Sequence, residues 1–167
     1  MSSESTPAAA YGKPTTSGPQ PVSSYQGALN GFIKGLLRVP VLSRLVGSRL
    51  LTFTVVGRKT GRTYVIPVAY TRHEGTLLIG TRRWPWLKNL RPGEPTTVRV
   101  RGRQRLADWE LLDDEQNVVE LYGVIARDNH ANARFAGIGF ASDGEPNQAD
   151  LHQAWAKGCV VIRLTLR

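Results

Sequence analysis

Acid is what the first half of this chain lacks. Between Ser5 and Gly93 thirteen lysines and arginines stand against a single acid, Glu74, whereas from Glu94 to Arg167 nine bases face eleven acids. The net charge of +9 over 167 residues is therefore a property of one half. It points to anionic partners: nucleic acid, acidic lipid headgroups, or a small molecule bearing phosphate or carboxylate. Cysteine is nearly absent as well. Cys159 alone excludes an intramolecular disulfide, and a cytoplasmic address is the expectation. In its setting, "CVVIRL", it reads as a small buried apolar side chain. The three histidines, His73, His130 and His152, have no HExxH or CxxC context, so no zinc site is expected. There is no G-x-S-x-G elbow, and the acids of 108–120 crowd at a predicted helix start, where capping accounts for them. Nucleophilic and paired-carboxylate hydrolysis are thereby disfavoured. No apolar run approaches the ~20 residues of a membrane span, and the N-terminus has no secretory-signal pattern. If the chain is an enzyme, a bound organic cofactor carries the reaction.

What is present suits one domain with a proper core, 41% of residues being hydrophobic. Residues 1–25 are rich in Ser, Thr, Pro and Ala and are expected to form a disordered or loosely attached tail. Residues 26–49 read as a basic amphipathic helical segment. Leu29, Phe32, Ile33, Leu36 and Leu37 share one helical face, Pro40 interrupts it, and Val41, Leu42, Leu45 and Val46 make a second stripe. Such a segment packs over the end of a sheet or lies on an anionic membrane. Residues 29–49 are thus where a peripheral contact with the inner face of the plasma membrane would fall.

From Leu50 to Arg167 the pattern is that of an α+β, mainly β domain. "LLTFTVVG", "TYVIPVAYTRH", "TLLIGT", "TTVRV", "RLADWELL" and "CVVIRLTL" predict six strands, mostly antiparallel, in a barrel or curled sheet with helices at its ends. Pro67 places the second strand at an edge or bulge. A short helix is predicted around Trp86–Leu90, and longer ones over "DDEQNVVELYGVIARDN" and "ADLHQAWAKG"; residues 130–148 read as irregular.

Two constellations remain. In "GRKTGRTYVIPVAY", Arg58, Lys59 and Arg62 surround Thr60-Gly61, a composition that holds phosphate, or else forms an ordinary basic hairpin. "GRKTGR" is not a Walker loop, because a strand and not a helix follows it. In "GTRRWPWLKNL", Gly80, Thr81, Arg82 and Arg83 leave a strand ahead of Trp84 and Trp86; this could line a site for a planar, phosphate-tailed compound, with Trp86 instead plugging the barrel end. Arg99, Arg101, Arg103 and Arg105 lie at strand spacing, which most often means a solvated edge. Aromatic residues are not interleaved for base stacking, so nucleic acid is not the expected partner.

The G-R-K-T-G turn with Pro67 in the following strand, and W-x-x-N-L after the third strand, resemble the deazaflavin-dependent nitroreductase family over roughly Leu42 to Leu166. The resemblance implies a split β-barrel related to FMN-binding barrels, with residues 50–167 as the cofactor-binding domain. It also implies coenzyme F420, whose tail carries a phosphodiester and several carboxylates, with FMN as the alternative. Hydride would pass to a quinone, nitroaromatic or other electron-poor small molecule. Mapped residue by residue, the tail contacts fall on Arg58, Lys59, Thr60 and Arg62 and the ring-side contacts on Gly80, Thr81, Arg82 and Arg83, while Pro67 and Tyr70 line the same groove. Tyr64 stands where family members often carry arginine. A non-enzymatic barrel binding a lipid or quinone at the membrane surface is the rival reading, and monomer and homodimer both stay open.

Overall fold

The computed structural model describes residues 11–20 and 49–167; apart from Arg49, the predicted amphipathic segment lies outside the described residues. The elements run β1 (Leu50–Val56), β2 (Thr63–Ala69), β3 (Thr71–His73), β4 (Thr76–Arg82), a 3-10 turn (Pro85–Asn89), β5 (Thr96–Val100), β6 (Arg103–Leu112), α1 (Glu115–Asp128), α2 (His130–Ala136), α3 (Gln148–Ala156) and β7 (Cys159–Leu166). All strand pairs are antiparallel, and the sheet order is β2-β1-β5-β6-β7-β4-β3.

The strands number seven, not six. "TYVIPVAYTRH" is one extended segment that changes partner: β2 pairs with β1, β3 pairs with β4, and Tyr70 between them belongs to neither. The Tyr70 amide donates to the Arg49 carbonyl at 2.9 Å, which marks the corner. Because the two outermost strands are joined through one residue, the sheet must curl until its edges meet. Pro67 sits on β2, an edge strand, where its missing N–H costs no ladder bond.

The curl makes two cores. Leu51, Phe53, Val55, Val68, Leu77, Ile79, Val98, Ile162 and Leu164 fill the barrel interior. Leu78, Cys159 and Val161, on the opposite face of β4 and β7, pack under Val118, Leu121, Tyr122 and Ile125 of α1 and Leu151 and Ala154 of α3. Strands β4 and β7 are therefore buried on both sides, which explains the unbroken apolar runs "LLI" and "CVVI". Each fully buried side chain of the size of Phe53 or Ile162 contributes about 1.5–3 kcal/mol.

Helix α1 begins at Asp114, whose carboxylate accepts from the Asn117 amide at 3.0 Å, as the acid cluster led one to expect. The Asn117 side-chain amide, donating to the other carboxylate oxygen at 2.8 Å, and then its backbone amide hold the Asp114 carboxyl below its ordinary value. Within 130–148, read as irregular, the chain forms α2, with the Asn129 side chain capping it through the Asn132 amide. Residues 11–20, read as part of a disordered or loosely attached tail, lie bonded across α3 and the loop before it. Thr15 and Thr16 bond Asp150, the Gln153 amide donates to the Thr16 carbonyl at 3.1 Å, and the Lys157 ammonium donates to the Ser17 carbonyl at 2.6 Å. No helix among the described residues is long and apolar enough to cross a membrane.

Candidate functional site

The antiparallel order puts the β1–β2 turn, the end of β4, the 3-10 turn and the start of β7 at one end of the barrel, here called the upper end. The turn after β1 closes tightly: the Gly57 amide donates to the Arg62 carbonyl and the Gly61 amide to the Gly57 carbonyl, each at 2.8 Å. Inside it, Thr60 Oγ1 accepts from the Arg62 amide and lies 3.3 Å from the Tyr64 hydroxyl. The Arg58 amide donates to Asn89 Oδ1 at 3.2 Å. Asn89 is the asparagine of W-x-x-N-L, so the two sequence markers are physically one object: the helical turn after β4 fastens the basic turn after β1.

Arg58, Lys59 and Arg62 are exposed, and among the described residues no ion pair or side-chain hydrogen bond engages any of them. Clustered cations and backbone amides on a braced turn are the chemistry that can hold an anion. Behind it, the Trp86 ring packs against Phe53 with centroids 5.2 Å apart, so this tryptophan plugs the barrel end.

The expected ring-side set does not converge in the same way. Leu77 and Ile79 face the barrel interior, so by the alternation of a strand Thr81 does too, while Gly80 and Arg82 face the helices. A Cβ on Gly80 would come within 2.6 Å of the Tyr122 ring, so glycine here serves helix–sheet packing. Arg82 donates to the Gln20 carbonyl at 3.3 Å, and Arg83 pairs with Asp113 at 2.7 Å. Tyr70 lies at the far end of β2, roughly 23 Å along the strand from Thr63 by the strand rise. It is nearly fully buried, and its hydroxyl has no hydrogen-bond partner. Pro67 faces outward, since Ile66 and Val68 point into the core. The structure thus brings Arg58, Lys59, Thr60 and Arg62 together, leaves Thr81 alone on the interior side of β4, and separates Pro67 and Tyr70 from both.

Sequence reasoning missed two working members of the turn. Asn89 was visible only as part of a motif, with nothing to say which amide it would hold. Tyr64 was noted for what it replaces, and here its hydroxyl braces Thr60. Cys159 is buried against Tyr122 and Arg82; burial pushes its thiol up to about 11, which makes it inert.

No family model and no curated protein matches the chain. Among solved structures it is similar to a conserved hypothetical protein from Mycobacterium tuberculosis (14% identity, 76% of this chain and 78% of that one, TM-score 0.48). It is also similar to a pyridoxamine 5'-phosphate oxidase-related, FMN-binding protein from Nostoc punctiforme (15%, 73% and 72%, 0.46). A third is an F420 reductase (13%, 75% and 91%, 0.39). Two of these three carry FMN or F420 in their names. At such identities and scores the likeness bears on neither cofactor nor substrate, and the split-barrel architecture stands on the strand order itself.

Proposed function

We propose that this protein is a split-barrel oxidoreductase that binds coenzyme F420 through the upper basic turn and reduces an electron-poor small molecule such as a quinone or nitroaromatic. The observation that carries the reading is the unpaired trio Arg58, Lys59 and Arg62 on a turn whose backbone is braced by Asn89 and Tyr64. A tail with a phosphodiester and several carboxylates supplies counter-charge for all three, whereas FMN offers one phosphate. That half of the site fits the group. The ring half fits less: Thr81 faces inward, Arg82 and Arg83 are already engaged, and Gly80 is covered by Tyr122.

Bound there, the deazaflavin supplies the hydride, so no protein nucleophile or metal is required. The chain's own work is to anchor the tail, to keep the turn in one conformation, and to close the barrel end behind it with Trp86 and Phe53. Calorimetric titration of the full chain with F420 and with FMN tests the reading. Lys59→Ala with Arg62→Ala should weaken F420 binding by about 2–4 kcal/mol. Equal affinity in the double variant, or tighter binding of FMN than of F420, would overturn it.

A further inference from the structure

A second set of unpaired cations lies at the lower end of the barrel, and the proposed cofactor site does not use it. Strands β5 and β6 turn through Arg101 and Gly102, both at positive φ, so Arg101 forms the tip of an exposed hairpin. Arg99, Arg101 and Arg103 are exposed and have no ion pair or side-chain hydrogen bond among the described residues, while Arg105 is held by the Arg167 carbonyl oxygen at 3.1 Å. The nearby acids are committed. Asp108 binds Arg167, which holds its carboxyl below the ordinary value, and Glu110 binds Arg163.

Arg99 sits on the outer face of β2, β1, β5 and β6. The register sets Val65, Thr54, Thr97 and Leu106 side by side across that face, with Pro67, Thr52, Arg99 and Gln104 in the next row down. Val65 is 60% and Leu106 47% exposed, and Val56 above them 48%. Helices α1 and α3 cover the outer side of β4 and β7 instead, and among the described residues no helix crosses the face of β1 and β5. A branched-aliphatic strip therefore runs above Arg99, with Arg101 at the hairpin tip below it, while Arg103, paired with interior-facing Val100, leaves the strand on the other side of the sheet.

We infer that this face is a docking surface for an anionic lipid bilayer, with the hairpin arginines on headgroup phosphates and Val56, Val65 and Leu106 at the level of the first methylenes. Charge decides against the other occupants. A second copy would bring cations onto cations in either twofold arrangement, because Arg58, Lys59 and Arg62 border the upper end and the hairpin arginines the lower. Residues 21–48 of the same chain hold Lys34, Arg38 and Arg44 and no acid, so they too would add positive charge to a positive face. Nucleic acid is poorly served by valine and leucine where stacking needs rings. An anionic bilayer supplies counter-charge to the hairpin arginines, and it tolerates arginine beside aliphatic side chains.

The test is flotation of the full chain with phosphatidylcholine vesicles, with and without phosphatidylglycerol. Binding is expected only with phosphatidylglycerol, and it should fall as salt is added. Arg99→Gln with Arg101→Asn should weaken it on the order of 25-fold, roughly fivefold for each base. Asparagine keeps the left-handed tip, so folding, checked by thermal melt, should persist. Val65→Thr with Leu106→Thr should weaken binding several-fold while leaving its salt dependence in place. F420 affinity should change in neither variant, so this outcome and that of the cofactor titration are separable. Failure of the wild type to float, or flotation of the arginine variant equal to wild type, overturns the proposal. So would an arginine-dependent affinity for single-stranded RNA as high as that for vesicles, or a dimer in sedimentation that Val65→Thr with Leu106→Thr dissolves.

Discussion

Asp150 holds the amino-terminal strap, and removing its charge should release that strap without unfolding the barrel. The carboxylate is fully buried. One oxygen accepts from the Thr15 amide at 2.7 Å and the Thr16 amide at 3.3 Å; the other accepts from the Gly139 amide at 3.0 Å and from the Thr15 hydroxyl. In Asp150→Asn one of these two acceptor positions becomes an NH2 that points at N–H or O–H donors. Bonds to a charged group contribute about 1.5–3 kcal/mol each, and an orphaned buried amide costs about 1–3 kcal/mol. Loss of one oxygen's contacts should therefore cost about 3 kcal/mol. Ordering each strap residue costs about 1–2 kcal/mol of backbone entropy. The strap's own net stability is thus small, and 3 kcal/mol suffices to free it. Hydrogen exchange should show the Thr15, Thr16 and Gly18 amides losing protection in Asp150→Asn, while amides of β4 and β7 keep theirs. Thr15→Val, which removes one hydroxyl donor and keeps the amide bonds, should have about a third of the effect. Unchanged strap exchange in Asp150→Asn would show that Asp150 is not the anchor; loss of protection throughout β7 would show that the strap and barrel are one cooperative unit.

Three further outcomes follow from single contacts. Gly80→Ala drives a Cβ to within 2.6 Å of the Tyr122 ring, so chemical denaturation should show a loss of about 1–3 kcal/mol; a neutral result would mean α1 moves freely off the sheet. Asn89→Ala removes the acceptor for the Arg58 amide. It should weaken F420 several-fold with little change in melting temperature, and equal affinity would show that the basic turn needs no brace. Cys159 titrates near 11 in the folded chain, above the 9.0 of a free thiol, so the unfolded state gives up its proton first. Its contribution to stability is intact below pH 9 and declines as pH rises toward 11. A thiol reagent at pH 8 should label Cys159 only as fast as the chain unfolds; immediate labelling would contradict the burial.

The hairpins were legible in the sequence because their information is local. Glu74-Gly75 and Arg101-Gly102 each put a glycine between two strand-like runs, and both pairs adopt positive φ. The bent strand was not legible. "TYVIPVAYTRH" keeps its alternation through Tyr70, and only the positions of β1 and β4 reveal that its partner changes there. Helix α2 was missed for a different reason: "HANARFA" has no apolar period, and what starts it is the Asn129 cap. The strap's bonds were not legible because its composition resembles disorder. Its order resides in Asp150, 135 residues away along the chain, and in a groove so close that a Cβ on Gly137 would meet the Gly18 backbone at 2.2 Å. For the site, charge composition found the cations, but which of them stay unpaired depends on where Asp113 and Gln20 come to lie.

That last point separates residues that look alike in one dimension. Arg58, Lys59, Arg62, Arg82 and Arg83 all gather at one end of one barrel, and a count of charge would treat them as one collar. In three dimensions the two on β4 and its exit spend their donors on a strap carbonyl and a carboxylate, and they hold elements together. The three on the β1–β2 turn have no such task, yet the turn itself is braced by Asn89 and Tyr64. Three like charges together on a braced turn repel one another weakly through solvent, and a bound anion would relieve that repulsion. A solvated hairpin of no consequence would have no need of a side chain from another element to hold its backbone. The brace, more than the charge, is what supports the proposal that this turn binds a ligand.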